Sequence, residues 1–199
     1  MRLHTLVLGR LKTNCYIAAD ERTGEAAVID PACDGERILA FLTQNGYTLK
    51  CIFLTHGHFD HVGAVDYLRR ETGTLCYVHE DEGTDLANCV SVKDGVAVEF
   101  GECKAVTLHT PGHTSGSVCY YVSVKDKGQR AEGVLLSGDT LFAGTVGRCD
   151  FPTGDYDAML SSVDRLVREI PGETPVYPGH GPATTMLYER EHNPYIRRV

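Results

Sequence analysis

The stretch Thr55-His56-Gly57-His58-Phe59-Asp60-His61-Val62-Gly63 places three imidazoles and a carboxylate within six positions. Packing has no use for so many ionisable groups in one short segment. Histidine is the commonest metal ligand, and a carboxylate beside it suits divalent ions. With 9 His in 199 residues, this spacing arises by chance in such a chain with a probability of roughly one in a thousand. The stretch therefore reads as a metal motif. Leu49 to Leu54, just before it, is apolar apart from Lys50, the pattern of a strand buried on both faces. The ligands thus occupy the loop that leaves the C-terminal end of a strand.

Working outward, short strand-like runs at 3–8, 14–19 and 26–30 precede the motif, the last two joined by a hairpin at Asp20 to Gly24. A helix is predicted over 34–44, from Ile38, Leu39, Phe41 and Leu42 on one face, and another over 62–72, from Val62, Val65 and Leu68. A strand at 75–78 follows, then the acidic turn His79 to Gly83, read as a solvated helix start. Further strands are predicted near 96–100, 103–109, 117–124 and 133–137, with Lys125 to Gly133 as an exposed hairpin loop. A helix at 155–169, a strand at 175–177 and a helix at 183–191 complete the chain. Strand-rich halves flanked by helices predict an α/β (α+β) chain with two sheets packed face to face and helices outside. No Gly/Ser/Pro-rich linker divides it, so 1–199 is read as a single domain.

Net charge is −8 with the histidines neutral, and no run of Lys or Arg exceeds two residues. Nucleic acid is therefore not an expected partner, because phosphate binding needs clustered cations. The eight cysteines lie more than ten residues apart and never as CxxC. They are read as buried free thiols acting as small hydrophobes. No stretch approaches the ~20 apolar residues of a membrane span, and residues 1–10 do not read as a signal peptide. A reducing, cytoplasmic setting is the expectation.

Three later segments share one pattern, an apolar strand followed by a tight glycine-containing turn with a ligand-type residue. Leu108-His109-Thr110-Pro111-Gly112-His113-Thr114 offers His113, Leu135-Leu136-Ser137-Gly138-Asp139-Thr140 offers Asp139, and Val176-Tyr177-Pro178-Gly179-His180 offers His180. The set becomes His56, His58, Asp60, His61, His113, Asp139 and His180. Seven ligands exceed one tetrahedral ion, since a catalytic zinc keeps three protein ligands and a water. Two divalent ions are the natural solution, with a carboxylate able to bridge them. His109 belongs to its strand and is assigned a structural hydrogen bond; His4, His79 and His192 are read as surface or capping residues.

THGHFDHVG, HTPGHTSGS, SGDTLF and PGHGP, in this order, resemble the signature of the metallo-β-lactamase superfamily in its type II glyoxalase (hydroxyacylglutathione hydrolase) branch. The resemblance implies a four-layer αββα sandwich with the ions at one edge between the sheets. It implies that His56, His58 and His113 hold one ion, that Asp60, His61 and His180 hold the other, and that Asp139 bridges them. Zinc is the implied metal, with iron or manganese compatible with the same ligands.

The implied reaction is hydrolysis of a small-molecule acyl thioester, S-D-lactoylglutathione or a relative, by hydroxide shared between the ions, with Asp60 orienting it. Arg148 matches a basic residue that contacts the glutathione moiety, and Phe142 is placed in the pocket wall. The short region after His180 is more like the single-domain bacterial hydrolases of this kind than the two-domain glyoxalases. A mononuclear-iron persulfide dioxygenase and a lactonase or other ester hydrolase are the alternatives on the same fold.

Overall fold

A computed structural model of the chain describes residues 1–82, 89–125 and 133–196. The first half runs β1 (Arg2–Leu8), β2 (Thr13–Ala19), β3 (Glu25–Ile29), α1 (Gly35–Gln44), β4 (Thr48–Phe53), α2 (Phe59–Val62), α3 (Val65–Thr72), β5 (Leu75–His79) and β6 (Val90–Val92), with a 3₁₀ turn at Glu80–Glu82. The second runs β7 (Ala97–Phe100), β8 (Cys103–His109), β9 (Val118–Val124), β10 (Gly133–Gly138), β11 (Leu141–Phe142), β12 (Thr145–Val146), α4 (Tyr156–Glu169), β13 (Pro175–Pro178), β14 (Thr184–Thr185) and α5 (Met186–His192). Strands β1 to β6 form one sheet in sequence order; the other has the order β14-β13-β10-β9-β8-β7, and β11 pairs with β12. Both large sheets are mixed. In the first, β1, β2 and β3 pair antiparallel and β3 to β6 parallel. In the second, only β10 and β13 are parallel.

Strand alternation builds three apolar layers. Along β2, Cys15, Ile17 and Ala19 face helices α1 and α3, meeting Ile38, Leu42, Val65 and Leu68. The intervening Tyr16 and Ala18 face the second sheet, where they join Phe53, Phe100, Tyr120, Val122 and Leu136 in the central core. The outer face of the second sheet, through Cys119, Leu135 and Val176, packs on Met159, Val163 and Leu166 of α4 and on Met186 of α5. Each fully buried aliphatic side chain of this kind contributes about 1.5–3 kcal/mol. The result is the helix–sheet–sheet–helix layering expected from the sequence. All eight cysteines are free; Cys15, Cys51, Cys76, Cys103 and Cys119 are buried as apolar residues.

Topology then fixes the functional edge. Strands β8 and β10 both run antiparallel to β9, and β13 runs parallel to β10. Their three C-terminal ends therefore leave the same rim, carrying His113, Asp139 and His180 beyond them. The loop after β4 meets this rim through Val118, whose N–H donates to the Thr55 carbonyl at 2.8 Å.

Several boundaries differ from expectation. The helix predicted over 62–72 is two pieces, α2 and α3. Ala64 N–H donates to the Pro31 carbonyl at 2.9 Å rather than to a helical partner, which breaks the run. The last helix begins at Met186 rather than 183, because Thr184–Thr185 pairs with β13 and the Thr185 hydroxyl caps the helix. Strands β6, β11, β12 and β14 are two or three residues long and carry too little alternation to be read. Residues 126–132 of the Lys125 to Gly133 loop lie outside the described residues.

Candidate metal centre

The imidazoles lie in the segments that follow strand ends, and four of the five are held by an oxygen on Nδ1. His61 Nδ1 lies 3.0 Å from Asp30 Oδ2 and is buried completely. His56 Nδ1 lies 3.1 Å from Thr55 Oγ1, whose hydroxyl donates to Asp30 Oδ2 at 2.7 Å. His113 Nδ1 meets the Arg148 carbonyl at 2.8 Å, and His180 Nδ1 meets the Leu11 carbonyl at 3.2 Å. An oxygen on Nδ1 fixes the tautomer with the proton there and leaves Nε2 as the free lone pair. His58 instead turns Nδ1 inward, 2.9 Å from His113 Nε2.

These inward atoms converge. His56, His58 and His113 form one group, and Asp60, His61 and His180 another, each with ligand atoms within 4.8 Å of one another. Asp139 stands between the two. Its Oδ1 is 3.6 Å from His61 Nε2, and its Oδ2 is 3.7 Å from His113 Nε2 and 3.6 Å from His180 Nε2. Asp60 Oδ2 is 3.3 Å from His180 Nε2 and 3.7 Å from His61 Nε2. Ligands about 2.1 Å from a tetrahedral ion lie roughly 3.4 Å apart, so this spacing is that of a coordination shell.

Whether the residues suit a metal can be judged from their bonding. His56 Nε2, His61 Nε2 and Asp139 Oδ1 are buried with no hydrogen-bond partner. Leaving such atoms unsatisfied costs about 1–3 kcal/mol each, and a cation is the partner that both imidazole lone pairs and a carboxylate accept. Protonation states of the first group agree. Burial, reinforced by the neighbouring imidazoles, holds His56 well below the usual histidine range, and burial likewise lowers His58 and His113. These rings are neutral, as ligands must be. Burial alone would also lower His61, but Asp30, Asp139 and Asp60 together raise it to about 9. The hydrogen bond with Asp60 raises His180. For Asp60, burial pushes upward, yet His180, His61 and Thr13 hold it below the usual carboxylate range. The carboxylates of the Asp60 end thus call for positive charge, which a divalent ion would supply in place of protons on His61 and His180.

All seven ligand-type residues expected from the sequence are brought to this one rim. Phe142 lies at its edge, its ring centroid 6.5 Å from that of His180. Phe151 packs on His58 and His113 at 4.8 and 5.3 Å, and Phe59 is 78% exposed. The Arg148 guanidinium makes a two-pronged ion pair with Asp150 at 2.9 and 2.8 Å and lies over the Phe151 ring.

Sequence reasoning missed Asp30, whose carboxylate serves Thr55 N–H at 2.8 Å as well as Thr55 Oγ1 and His61. It sits at φ 50, a left-handed conformation that Asp tolerates better than most residues. A signal existed: Val28-Ile29-Asp30 is the same apolar-strand-then-carboxylate pattern that marked Asp139. Missed too were Thr13, which donates to Asp60 Oδ2 at 3.1 Å, and Asn14, which donates to the Pro178 and Gly181 carbonyls around His180.

His79 departs from its expected surface position. It is buried and stacks on His109 with centroids 3.9 Å apart and planes 13° from parallel. With Asp81 the pair brings three ligand-type atoms together, but rings this nearly parallel aim their in-plane lone pairs side by side rather than at one point. His109 Nε2 also faces the Ser115 carbonyl at 2.9 Å. The pair is a structural stack, as the strand position of His109 suggested. His4 meets the Tyr47 hydroxyl at 3.2 Å, and His192 stacks on Tyr188.

Known proteins share this fold. The hydroxyacylglutathione hydrolase GloC of Haemophilus influenzae is 27% identical over 98% of both chains. The BLEG-1 B3 metallo-beta-lactamase superposes with a TM-score of 0.84 at 32% identity, covering 98% of this chain and 99% of its own. TTHA1623, crystallised in a di-iron-bound form, gives 0.82 at 34% identity over 97% of this chain and 100% of its own. The model of the metallo-beta-lactamase superfamily matches residues 8–180, a span running from the end of β1 to His180, and the chain belongs to that superfamily.

Proposed function

We propose that the protein is a dinuclear metallohydrolase that cleaves acyl thioesters. The observation that carries this reading is Asp139, whose two oxygens reach ligands of both groups, Oδ2 toward His113 and His180 and Oδ1 toward His61. A carboxylate so placed would serve both groups at once rather than complete one. His56, His58 and His113 would hold the first, and Asp60, His61 and His180 the second. When bound, two divalent ions, zinc or alternatively iron or manganese, supply Lewis acidity toward a carbonyl oxygen and bring the pKa of a water to near neutrality.

The chain's own groups do the rest. Asp30 and Thr55 keep the protons of His61 and His56 on Nδ1, so that neither ring can turn. Thr13 and His180 engage Asp60 Oδ2, leaving Oδ1 to take a hydrogen bond from the attacking water and orient it. Its neighbours His180, His61 and Thr13 hold the Asp60 carboxyl below the usual range, which favours the ionised form that accepts such a bond. Phe142 and Phe151 give the approach an apolar edge beside His180, His58 and His113.

Arg148 is the anion contact for the thiol carrier. Its pair with Asp150 is exposed on both sides, at 70% and 66%, and surface pairs of this kind are weak because solvent screens them. A substrate carboxylate can displace Asp150 at little cost. The similarity to GloC of Haemophilus influenzae supports glutathione as that carrier.

The test combines metal analysis of the purified protein with assays on S-D-lactoylglutathione and on a lactone. Two metals per chain with thioester turnover is the expected result. Two metals with lactone cleavage alone would remove the thioester assignment. One iron per chain with oxygen uptake on glutathione persulfide would replace hydrolysis with dioxygenase chemistry.

A further inference from the structure

In the acidic turn after β5, Glu80 and Asp81 are exposed in a 3₁₀ turn as its composition suggests, but Glu82 is not. Glu82 folds back under the site, half-buried. Its Oε1 accepts Gly57 N–H at 2.7 Å, and its Oε2 accepts the Thr114 hydroxyl at 2.7 Å. The Gly116 N–H is a third donor to the same carboxylate. Thr114 is fixed in turn, with its N–H donating to Ser117 Oγ at 3.0 Å. The turn is seated further by the Ser115 hydroxyl, which donates to the Asp81 carbonyl at 2.9 Å.

The chain positions of these donors matter. Gly57 lies between His56 and His58, and Thr114 directly follows His113. One carboxylate therefore ties together the two loops that carry all three residues of the first group, loops that come from different sheets. Gly116 shows how close the contact is, because a Cβ there would overlap Glu82 N and lie 2.6 Å from its Cα and 2.7 Å from its Oε2. The bonds also answer a difference among the imidazoles. His56, His61, His113 and His180 each have an oxygen on Nδ1, whereas His58 turns Nδ1 toward His113. The backbone amide just before His58 is what Glu82 holds.

We propose that Glu82 is a positioning residue that sets the spacing of His56, His58 and His113, and through it the affinity of the first ion, without touching ion or substrate. The inference rests on the dinuclear reading above. It makes Glu82 the counterpart of Asp30: one buried carboxylate orients ligands within the His loop, and the other spans the gap between that loop and the second sheet. Outer-shell partners of metal ligands are typically worth 10–100-fold in affinity.

The test uses the full chain stripped of metal and titrated with Zn(II) against a chromophoric chelator, with the Co(II) absorption spectrum as a second readout. Wild type should take two ions. Glu82→Ala should lose about 10–100-fold in affinity for one ion only and change the Co(II) bands of that ion alone. Glu82→Gln, which keeps an acceptor for Gly57, should recover most of the loss. If Glu82→Ala fails to fold, Thr114→Val removes one arm and should weaken the same single ion by about tenfold.

Two tight ions with unaltered Co(II) bands in these variants would overturn the proposal. An equal loss at both sites, or one that Gln does not recover, would make Glu82 a strut of the fold and would overturn it too. Fewer than two ions in wild type would instead overturn the dinuclear reading itself.

Discussion

The two halves of the chain deliver their ligands in opposite ways. The first half supplies His56, His58, Asp60 and His61 from one loop, whose shape is fixed from behind by the Asp30 carboxylate. The second half supplies His113, Asp139 and His180 from three strand ends, with His113 and His180 seated on backbone carbonyls. The first arrangement is local and depends on hydrogen bonds. The second depends on topology and on steric fit, so the halves should respond differently to substitution.

The largest effect should come from Asp139, where the two arrangements meet. Asp139→Ala is expected to lose both metals and to lower kcat/KM by on the order of a thousandfold, since metal Lewis acidity is worth several kcal/mol. Retained dinuclear loading, measured by metal analysis, would break the bridging role.

Steric seating is tested next at Gly179. A Cβ there would overlap Asp139 Oδ1 and lie 2.8 Å from His61 Cε1. Gly179→Ala should cost on the order of a hundredfold in kcat, as for an ångström-scale misplacement. Gly181, two residues on at φ +76, has open space around its missing Cβ. Gly181→Ala should therefore cost only backbone strain, about 1–2 kcal/mol of stability with kcat largely kept. Equal losses in the two variants would show that the loop responds to strain rather than to fit.

For the hydrogen-bonded half, Asp30→Asn should weaken metal binding about 10–100-fold in a chelator competition, since it removes the charge that His61 and Thr55 face. An unchanged affinity would mean that loop shape alone orients the imidazoles. The smallest effect is expected at the rim. Arg148→Ala should raise KM for a glutathione thioester roughly threefold to tenfold while leaving kcat and stability alone, because an exposed pair adds little to the fold. Its carbonyl, which orients His113, is untouched by that change.

The same contrast explains what could be read in advance. His56 to His61 are legible because ligands on one loop are adjacent in sequence. His113, Asp139 and His180 were recognisable only through a repeated strand-and-turn pattern, and the layering followed from strand alternation. Asp30 fits that same pattern, yet its role depends on a bond to His61, 31 positions away. Glu82 looked solvated because its turn is acidic; only the meeting of two sheets shows that it faces Gly57 and Thr114. The break between α2 and α3 likewise depends on a carbonyl of the preceding loop, Pro31, which no helical periodicity encodes. Information about partners on other elements is what sequence pattern lacks.

The clasp around His180 has a kinetic consequence. Asn14 donates to the Gly181 carbonyl across 167 positions, and Tyr16 donates to the Pro178 carbonyl across 162. Contacts of such sequence separation are slow to form, because nearly the whole chain must be threaded before its ends meet. His180 is also the last of the seven ligands to leave the ribosome. A nascent chain can thus carry the His56 to His61 loop long before His180 can join it.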